Sequence, residues 1–249
     1  MTGKQVRLGR LFRADGRSVV IALDHAQFKG AIDGLTPMSA IVRASFDGGA
    51  DAVILNPGAA RDCAAEIAGR GSLIVRLTGA STDHNPRFDY HRRISTVVQA
   101  VALGADAVIA MGFIGGEGEA ASLELLAEIA MECAELGMPL IAEMLPADFE
   151  HFQDPAWIGL AARAAYELGA DVVKGYTTGS DADADAIRRC GVPFLAAGGA
   201  KTADPVEIAE QALRHGAAGI AFGRNVFAAP DPCHMVEELV MAVHRSIPS

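Results

Sequence analysis

Four similar segments recur along the chain and decide its fold: GADAVILNPG (49–58), GADAVIAMGF (104–113), GADVVKGYTT (169–178) and GAAGIAFGRN (216–225). Each segment runs into a short, nearly continuous apolar stretch. Such stretches are typical of parallel strands whose two faces are both covered. Because the segments resemble one another, we interpret them as one structural unit repeated within a single fold.

Four further apolar runs lie between these segments and complete a set of eight candidate strands. They are SVVIALDH (18–25), SLIVRLTG (72–79), MPLIAEML (138–145) and VPFLAAGG (192–199). The average spacing of about 30 residues is the length of one βα unit. Apolar residues with a helical period fill the gaps and predict helices over 38–47, 61–69, 90–103, 120–136, 156–168, 183–190, 205–215 and 233–245.

Several of these predicted helices carry recognisable start and stop signals. Asp154-Pro155 and Asp204-Pro205 each place an N-cap residue before a proline at the first helical position. Glycine follows six of the helices at the position that favours a left-handed backbone, namely at residues 48, 104, 137, 169, 191 and 216. These signals support the predicted alternation of strand and helix.

A strand followed by a helix, eight times without a linker, predicts an α/β fold, a single (β/α)8 TIM barrel. An open, doubly wound sheet is the alternative, but no G-x-G-x-x-G fingerprint follows the first strand. We expect one domain over residues 1–249. Residues 1–17 would form an N-terminal extension that caps the bottom of the barrel.

Composition narrows the classes of protein that the chain could represent. Apolar residues make up 51% of the 249 residues, and the formal net charge is −10. An acidic chain of this kind is a poor candidate for binding nucleic acid or an anionic membrane. A phosphorylated ligand would therefore need a local site that overcomes the overall negative charge.

The cysteines and the N-terminus indicate a cytoplasmic protein. None of the four cysteines belongs to a C-x-x-C pair, a pattern that predicts neither a zinc site nor a disulfide framework. The N-terminal segment has charges but no apolar region of the signal-peptide kind. No apolar run is long enough to span a membrane.

Lys174 is the most informative candidate for catalysis. It lies inside an apolar strand, where the corresponding residues of the other repeats are Ile54, Ile109 and Ala221. Burial disfavours the charged ammonium, and a neutral amine can condense with a carbonyl group to form a Schiff base. The alternative is a lysine of the barrel interior that is paired with an acidic residue for structure alone.

Asp24 and Glu143 are acidic residues in otherwise apolar strands, and both are predicted to surround Lys174. A carboxylate beside an amine can move protons as a carbinolamine forms and dehydrates. For Glu143, apolar surroundings would raise the pKa whereas a nearby lysine would lower it, so we predict a role without a value. A salt bridge or a helix cap is the structural alternative for each.

Two glycine-containing loops are predicted to hold a phosphate group. AAGGAKT (196–202) follows the seventh strand and contains Gly198 and Gly199, whereas FGRNV (222–226) follows the eighth and contains Gly223 and Arg224. In many barrels these loops bind phosphate through backbone N–H groups, and an arginine can add a bidentate contact. Ordinary tight turns between strand and helix are the alternative.

Metal binding is not predicted. The seven histidines include no pair at the i, i+4 spacing that places two metal ligands on one face of a helix. A polar loop over residues 80–89, ASTDHNPRFD, follows the third strand and is a candidate lid over the site.

At these motifs the chain resembles the class I aldolase group of the DeoC/FbaB/LacD type. The similarity rests on IALDHAQFKGAIDGL (21–35), ADVVKGYTTG (170–179), AAGGAKT and AFGRNVF (221–227). That group includes archaeal-type fructose-bisphosphate aldolases, aminodideoxyheptulosonate synthases and LsrF-like thiolases. The resemblance implies a (β/α)8 barrel without metal or other cofactor, commonly assembled as a decamer, and hence a homo-oligomer here.

The resemblance also implies roles for individual residues. Lys174 corresponds to the lysine that forms the Schiff base, and Asp24 to the acid of the first strand. Gly198, Gly199, Gly223 and Arg224 correspond to the phosphate-binding residues. The implied activity is cleavage or formation of a carbon–carbon bond in a phosphorylated keto-sugar or a related ketone phosphate.

One position departs from the pattern of the group. The aldolases usually carry a tyrosine before a proline on the fifth strand, and here Leu145 precedes Pro146. Glu143 lies two residues earlier on the same face of the strand and is the predicted replacement. An LsrF-like acyl transfer on a phosphorylated diketone, and a phosphosugar-binding barrel without turnover, are the alternatives.

Overall fold

Eight parallel strands close into a barrel in the computed structural model, which describes residues 2–87, 89–199 and 204–244. Numbered in chain order, the barrel strands β1 to β8 are Ser18–Ala22, Ala52–Leu55, Ser72–Arg76, Ala107–Ile114, Leu140–Pro146, Val172–Gly175, Phe194–Ala197 and Gly219–Phe222. Each strand pairs with its neighbours in the chain, and β8 pairs with β1. The predicted (β/α)8 barrel is confirmed, and the open-sheet alternative is excluded.

Helices alternate with these strands. In chain order, α1 to α12 are Thr2–Leu11, Ala26–Lys29, Met38–Asp47, Pro57–Asp62, Ala64–Ile67, Val97–Ala102, Glu119–Leu136, Pro155–Glu167, Asp181–Cys190, Pro205–Arg214, Arg224–Phe227 and Pro232–His244. A short 3-10 turn covers Phe149–His151, and a two-stranded antiparallel ribbon pairs Thr78–Gly79 with Arg92–Arg93. The last residue of the predicted C-terminal helix, Arg245, lies outside the described residues.

Two predicted helices are wrong in their extent. The helix predicted over 61–69 is divided into α4 and α5, with Cys63 between them. The helix predicted over 90–103 begins only at Val97, because Thr96 and Gln99 form a capping box that fixes the start. Residues 92 and 93 belong to the ribbon instead.

The helix signals are otherwise largely confirmed. The side chains of Asp154 and Asp204 accept hydrogen bonds from backbone N–H groups at the starts of α8 and α10. Five of the six predicted glycines have a positive φ. Gly48 does not: its φ is −73°, and the positive value occurs at Gly49. A Cβ at residue 48 would lie 2.6 Å from the carbonyl oxygen of Cys233, so close packing against α12 requires this glycine.

Strand side chains alternate between two apolar layers. Inward-facing residues such as Ile54, Ile109 and Leu195 fill the barrel, whereas the outward-facing residues pack under the helices. Residues that follow an inward-facing residue by two positions also face inward, and at the ends of the strands they point into the site. Val172 faces inward on β6 and Ile141 faces inward on β5, so Lys174 and Glu143, two residues further along, do the same.

The N-terminal end of the barrel carries the aspartates of the repeated segments. Asp51, Asp106 and Asp171 immediately precede β2, β4 and β6, and each forms an ion pair with the N-terminal segment. Their partners, in the same order, are Arg13 at 2.5 Å, Arg10 at 2.9 Å and Lys4 at 2.9 Å. Leu11 of α1 is fully buried among the inward-facing strand residues at this end.

Candidate active site

A cavity of 560 Å³ opens at the C-terminal ends of the barrel strands. Barrel enzymes place their catalytic groups at this end, because the loops that follow the strands meet there. All seven residues that the sequence singles out line this one cavity: Asp24, Glu143, Lys174, Gly198, Gly199, Gly223 and Arg224.

Lys174 and Glu143 are direct neighbours in the sheet. Strand β6 pairs with β5 so that Lys174 lies beside Glu143, and the Lys174 Nζ is 2.6 Å from Glu143 Oε1. Only 5% of Lys174 and 8% of Glu143 is exposed. A lysine that is this well buried needs a counter-charge, and Glu143 provides it.

Arg76 joins both predicted carboxylates, although the sequence analysis assigned it no role. Its Nε donates to Asp24 Oδ2 and its Nη2 donates to Glu143 Oε2. The side chain is almost fully buried at the end of β3. Sequence analysis could have found it by the criterion that selected Lys174, since Arg76 is a charged residue within an apolar strand.

The four charges of this network, two positive and two negative, control each other's protonation. Burial alone would raise the pKa of Glu143, but Lys174 and then Arg76 lower it well below its usual range. The pKa of Asp24 is likewise lowered, because Arg76 and Lys174 outweigh the effect of burial. The two carboxylates raise the pKa of Arg76 against the opposing effect of burial. Of the two opposing effects expected at Glu143, the neighbouring charges prevail.

Two histidines lie beside this network, and burial favours the neutral form of each. Burial lowers the pKa of His25, whose Nδ1 is 3.5 Å from Asp24 Oδ1. Burial and then the charge of Arg76 lower the pKa of His91 to about 4. The ring of His91 lies between those of Phe28 and Phe113 at centroid distances of 5.3 and 5.1 Å. Because His91 falls within the helix predicted over 90–103, the sequence did not indicate that it lies at the site.

The predicted phosphate-binding residues lie on one side of the cavity, at the ends of β7 and β8. The end of β8 packs tightly against the end of β1: a Cβ at Gly223 would lie 2.5 Å from His25 Cε1 and 2.7 Å from the carbonyl oxygen of Ala22. The Asn225 side chain donates to the carbonyl oxygen of Gly198 at 3.0 Å and links the two loops. Arg224 and Tyr176 both line the cavity on this side. Ala200, Lys201 and Thr202 lie outside the described residues.

The part of the cavity beside β4 and β5 is apolar apart from Glu143. Leu145 shares the inward face of β5 with Glu143, as predicted, and Met144 packs in the outer layer. Leu145 forms a small cluster with Met111 and Phe113 of β4, against which Phe152 and Tyr176 pack. We call this cluster the apolar wall.

The polar loop after β3 forms part of the cavity rim. Lys29 Nζ is 2.6 Å from Asp83 Oδ2, which connects this loop to the one after β1. The Gln27 side chain donates to the carbonyl oxygen of Ser81 at 2.8 Å and adds a second connection. Phe88 of this loop lies outside the described residues. That the loop acts as a lid stays a prediction.

Two negative findings concern the described parts of the chain. Residues 2–87, 89–199 and 204–244 contain no group of three or more His, Cys, Asp and Glu side chains that could hold a metal ion. No helix within the same ranges is long and apolar enough to cross a membrane.

A buried lysine paired with a carboxylate at the C-terminal end of a (β/α)8 barrel is an arrangement suited to Schiff-base chemistry, as in the class I aldolases. Comparison with known families agrees, since a family model described as DeoC/LacD family aldolase matches residues 18–229. The chain belongs to this family. The resemblance drawn from the sequence motifs is thus confirmed.

Individual relatives agree with this assignment. The chain is 35% identical over 250 residues to a 2-amino-4,5-dihydroxy-6-oxo-7-(phosphonooxy)heptanoate synthase of Streptomyces griseus, covering 98% of this chain and 91% of that protein. It is also 35% identical over 249 residues to a 2-amino-3,7-dideoxy-D-threo-hept-6-ulosonate synthase of Archaeoglobus fulgidus, covering 99% of this chain and 93% of that protein.

Solved structures of aldolases are also similar to this chain. An archaeal fructose 1,6-bisphosphate aldolase matches with a TM-score of 0.87 and 30% identity, over 96% of this chain and 98% of that one. A second, whose catalytic lysine is covalently bound to the carbinolamine intermediate of the substrate, matches with a TM-score of 0.86 and 31% identity, over 96% and 99%. The chain is therefore an enzyme, a carbon–carbon lyase of the class I aldolase type.

Proposed function

We propose that this aldolase acts on a ketone phosphate through a Schiff base on Lys174. Glu143 and Asp24 would move the protons, and Gly198, Gly199, Gly223 and Arg224 would hold the phosphate. The observation that carries the proposal is the 2.6 Å contact between Lys174 Nζ and Glu143 Oε1, deep in a cavity of substrate size.

Formation of the Schiff base begins with a proton transfer. Lys174 loses a proton before its nitrogen lone pair attacks the ketone carbon, and the carboxylate in direct contact with it is the nearest acceptor. The carbinolamine oxygen then takes up a proton and leaves as water. Glu143 would return that proton, because the carbinolamine carbon is bonded directly to the nitrogen that Glu143 contacts in the structure.

Cleavage of the carbon–carbon bond uses the resulting iminium as an electron sink. A base removes the proton from the substrate hydroxyl, the carbon–carbon bond breaks, and its electron pair moves to the iminium nitrogen as an aldehyde leaves. The enamine is then protonated on carbon, and water releases the ketone. Glu143 is the base on β5, where the family's usual tyrosine is replaced by Leu145. The reverse sequence forms the bond.

The phosphate assignment rests on the backbone and on one arginine. Gly199 has a φ of 63°, a conformation that glycine adopts without strain, and Gly198 and Gly223 let the two loops pack closely against Phe222 and His25. Arg224 adds a positive charge beside them. The product named for the Streptomyces relative carries its phosphonooxy group next to a ketone, which supports a ketone phosphate as ligand.

A second candidate reaction is acyl transfer on a phosphorylated diketone. The observation that favours it is Leu145, which leaves this face of β5 without the phenol that the aldolases of the group usually have. The same imine on Lys174 would serve both reactions. Detection of an acylated product rather than a free aldehyde would favour the transfer.

Trapping the imine tests the proposal. Sodium borohydride added with dihydroxyacetone phosphate should produce a stable adduct on Lys174, located by peptide mass spectrometry. Lys174→Met should give no adduct, and the matched control Lys29→Met should be labelled like the unaltered protein. An adduct on Lys29 or Lys201 would overturn the assignment. Activity should survive EDTA, whereas a loss that a divalent ion restores would indicate a metal-dependent mechanism.

We further propose that the enzyme works in the cytoplasm as a homo-oligomer, which in this family is commonly a decamer. Free, buried thiols at Cys63, Cys133 and Cys190 support a reducing compartment. Analytical ultracentrifugation of the purified chain tests the assembly, and a monomer at micromolar concentration would contradict it.

A further inference from the structure

A bound substrate would extend between two sides of the cavity that differ in chemistry. One side carries the proposed phosphate-binding residues, and the other carries the apolar wall. In a ring of eight strands, β8 lies opposite β4 and β7 lies opposite β3. The proposed phosphate residues follow β7 and β8, and Lys174 stands on β6 between the two sides. A ketone phosphate bound to both therefore directs its reacting carbon toward β4 and β5, where the aldehyde must bind.

The apolar wall occupies this aldehyde side. Its cavity-lining residues include Met111, Leu145 and Phe152, and Phe149 extends the surface toward solvent. These four side chains offer neither a good hydrogen-bond donor nor a strong acceptor. The ring of the neighbouring Tyr176 lies 3.6 Å from the position of a Cβ at Gly199, so this residue borders the proposed phosphate loop as well as the wall.

The positive charges described nearest to the wall are already engaged. Arg76 is held by Asp24 and Glu143. Lys29 at the rim is paired with Asp83. The neutral ring of His91 adds one polar group next to Phe113. A carboxylate or a second phosphate on the aldehyde would have to compete with these ion pairs for its counter-charge.

We propose, building on the function proposed above, that the aldehyde partner carries a short alkyl or aryl group. Each methylene that it buries against the wall strengthens binding about fourfold. A hydroxyl in the same place loses its water without gaining a partner, and this costs about 10- to 100-fold. The wall thus selects against polyhydroxylated, phosphorylated and amino-acid aldehydes, and these preferences distinguish the enzyme from a sugar-phosphate aldolase.

A matched set of aldehydes tests the inference in the direction of bond formation. Dihydroxyacetone phosphate is the fixed donor. Propanal and D-glyceraldehyde are the central pair, since both have three carbons and differ by two hydroxyls. Butanal, D-glyceraldehyde 3-phosphate and aspartate semialdehyde complete the set, and rates are referred to the free aldehyde measured by NMR. We expect kcat/KM for propanal to exceed that for D-glyceraldehyde at least tenfold, with butanal higher again by about fourfold.

Borohydride trapping of the donor distinguishes failure of this inference from failure of the proposed function. If borohydride traps dihydroxyacetone phosphate on Lys174 and a polar aldehyde is nevertheless preferred, this inference is wrong and the proposed function stands. If no adduct forms, the proposed function and this inference are both wrong. Trapping together with preference for the alkyl aldehydes supports both.

Two substitutions should shift the preference in a defined direction. Met111→Gln has nearly the same shape as the original side chain and should reduce the ratio of propanal to D-glyceraldehyde about tenfold, whereas the control Met111→Leu should retain it. Leu145→Tyr adds a hydroxyl to the other strand of the wall and should change the ratio in the same direction. An unchanged ratio in both polar variants, with donor trapping intact, would overturn the role of the wall.

Discussion

The two ends of the barrel both carry ion pairs, partly buried at the N-terminal end and buried at the C-terminal end, but they use different parts of the repeated sequence. At the N-terminal end, Asp51 and Asp171 are members of the repeat itself, and each also accepts a hydrogen bond from a strand N–H, that of Val19 at 2.7 Å and of Leu140 at 2.9 Å. At the C-terminal end, Lys174 stands where the other repeats have apolar residues. Repeated charges at one end hold the chain together, and a charge that breaks the repeat marks the site.

The difference follows from what each end must do. Asp51 has its oxygens occupied by Arg13, His244 and the backbone, and no cavity opens beside it among those found in the described chain. Lys174 and Glu143 face a cavity and must exchange protons there. Substitutions at the N-terminal end should therefore leave activity nearly unchanged, whereas substitutions in the site network should alter both activity and stability.

Glu143→Gln should have the largest effect on activity. The amide keeps the shape of the side chain but cannot accept the proton of Lys174, so kcat should fall by about 10²–10⁴-fold, the usual range for a general acid or base. Borohydride trapping at Lys174 should still occur but more slowly, because the amine is unchanged whereas the group that accepts its proton is lost. If turnover stays near that of the unaltered enzyme, proton transfer belongs to Asp24, His25 or a substrate phosphate oxygen.

Arg76→Met should have the largest effect on stability. It leaves Asp24 and Glu143 buried with Lys174 as the one remaining cation of the network, and removal of one partner from such a buried network costs about 3–5 kcal/mol. The free energy of unfolding in urea measures it. Arg13→Met is the matched control at the other end, where the exposed position of Arg13 limits the loss to about 1 kcal/mol or less. Equal losses would show that Arg76 is not the centre of the network.

Acid should weaken the site network selectively. The pKa of Glu143 is lowered in the folded chain, so its contribution to stability is present above the unfolded pKa, near 4.5, and is lost as the pH falls toward the folded value. Between pH 5 and pH 3 the unaltered protein should lose up to about 2 kcal/mol more than Glu143→Gln. Urea unfolding at each pH measures the difference, and parallel curves for the two proteins would contradict the lowered pKa.

The sequence predicted the barrel and the facing of its strands, because both follow from local periodicity. Glu143 and Leu145 share a face since strand side chains alternate. The role of Arg76 could not be predicted in the same way: its partners stand on β1 and β5, and the distances across the barrel depend on strand register. The prediction of a helix over 90–103 was wrong for a local reason. The apolar periodicity begins before the helix does, and the capping box of Thr96 and Gln99 fixes the true start at Val97.

Arg224→Ala tests the phosphate side of the cavity. A bidentate, charge-assisted contact is worth roughly 1.5–3 kcal/mol, so KM for dihydroxyacetone phosphate should rise about 10- to 150-fold while kcat changes little. The unphosphorylated analogue dihydroxyacetone is the control, because it should bind equally to both proteins. An equal effect on the analogue would show that Arg224 does not contact the phosphate.

Asp51→Asn should have the smallest effect on activity and completes the comparison between the two ends. The amide oxygen can still accept from one donor, but the charge that attracts Arg13 and His244 is lost. We expect the free energy of unfolding to fall by about 1–2 kcal/mol, within the range for a hydrogen bond to a charged group. Values of kcat and KM should stay within about twofold, because sites this far apart with no shared partner behave independently. A fall in kcat comparable to that of Glu143→Gln would mean that the N-terminal ion pairs position the catalytic strands, and the separation of the two ends would be wrong.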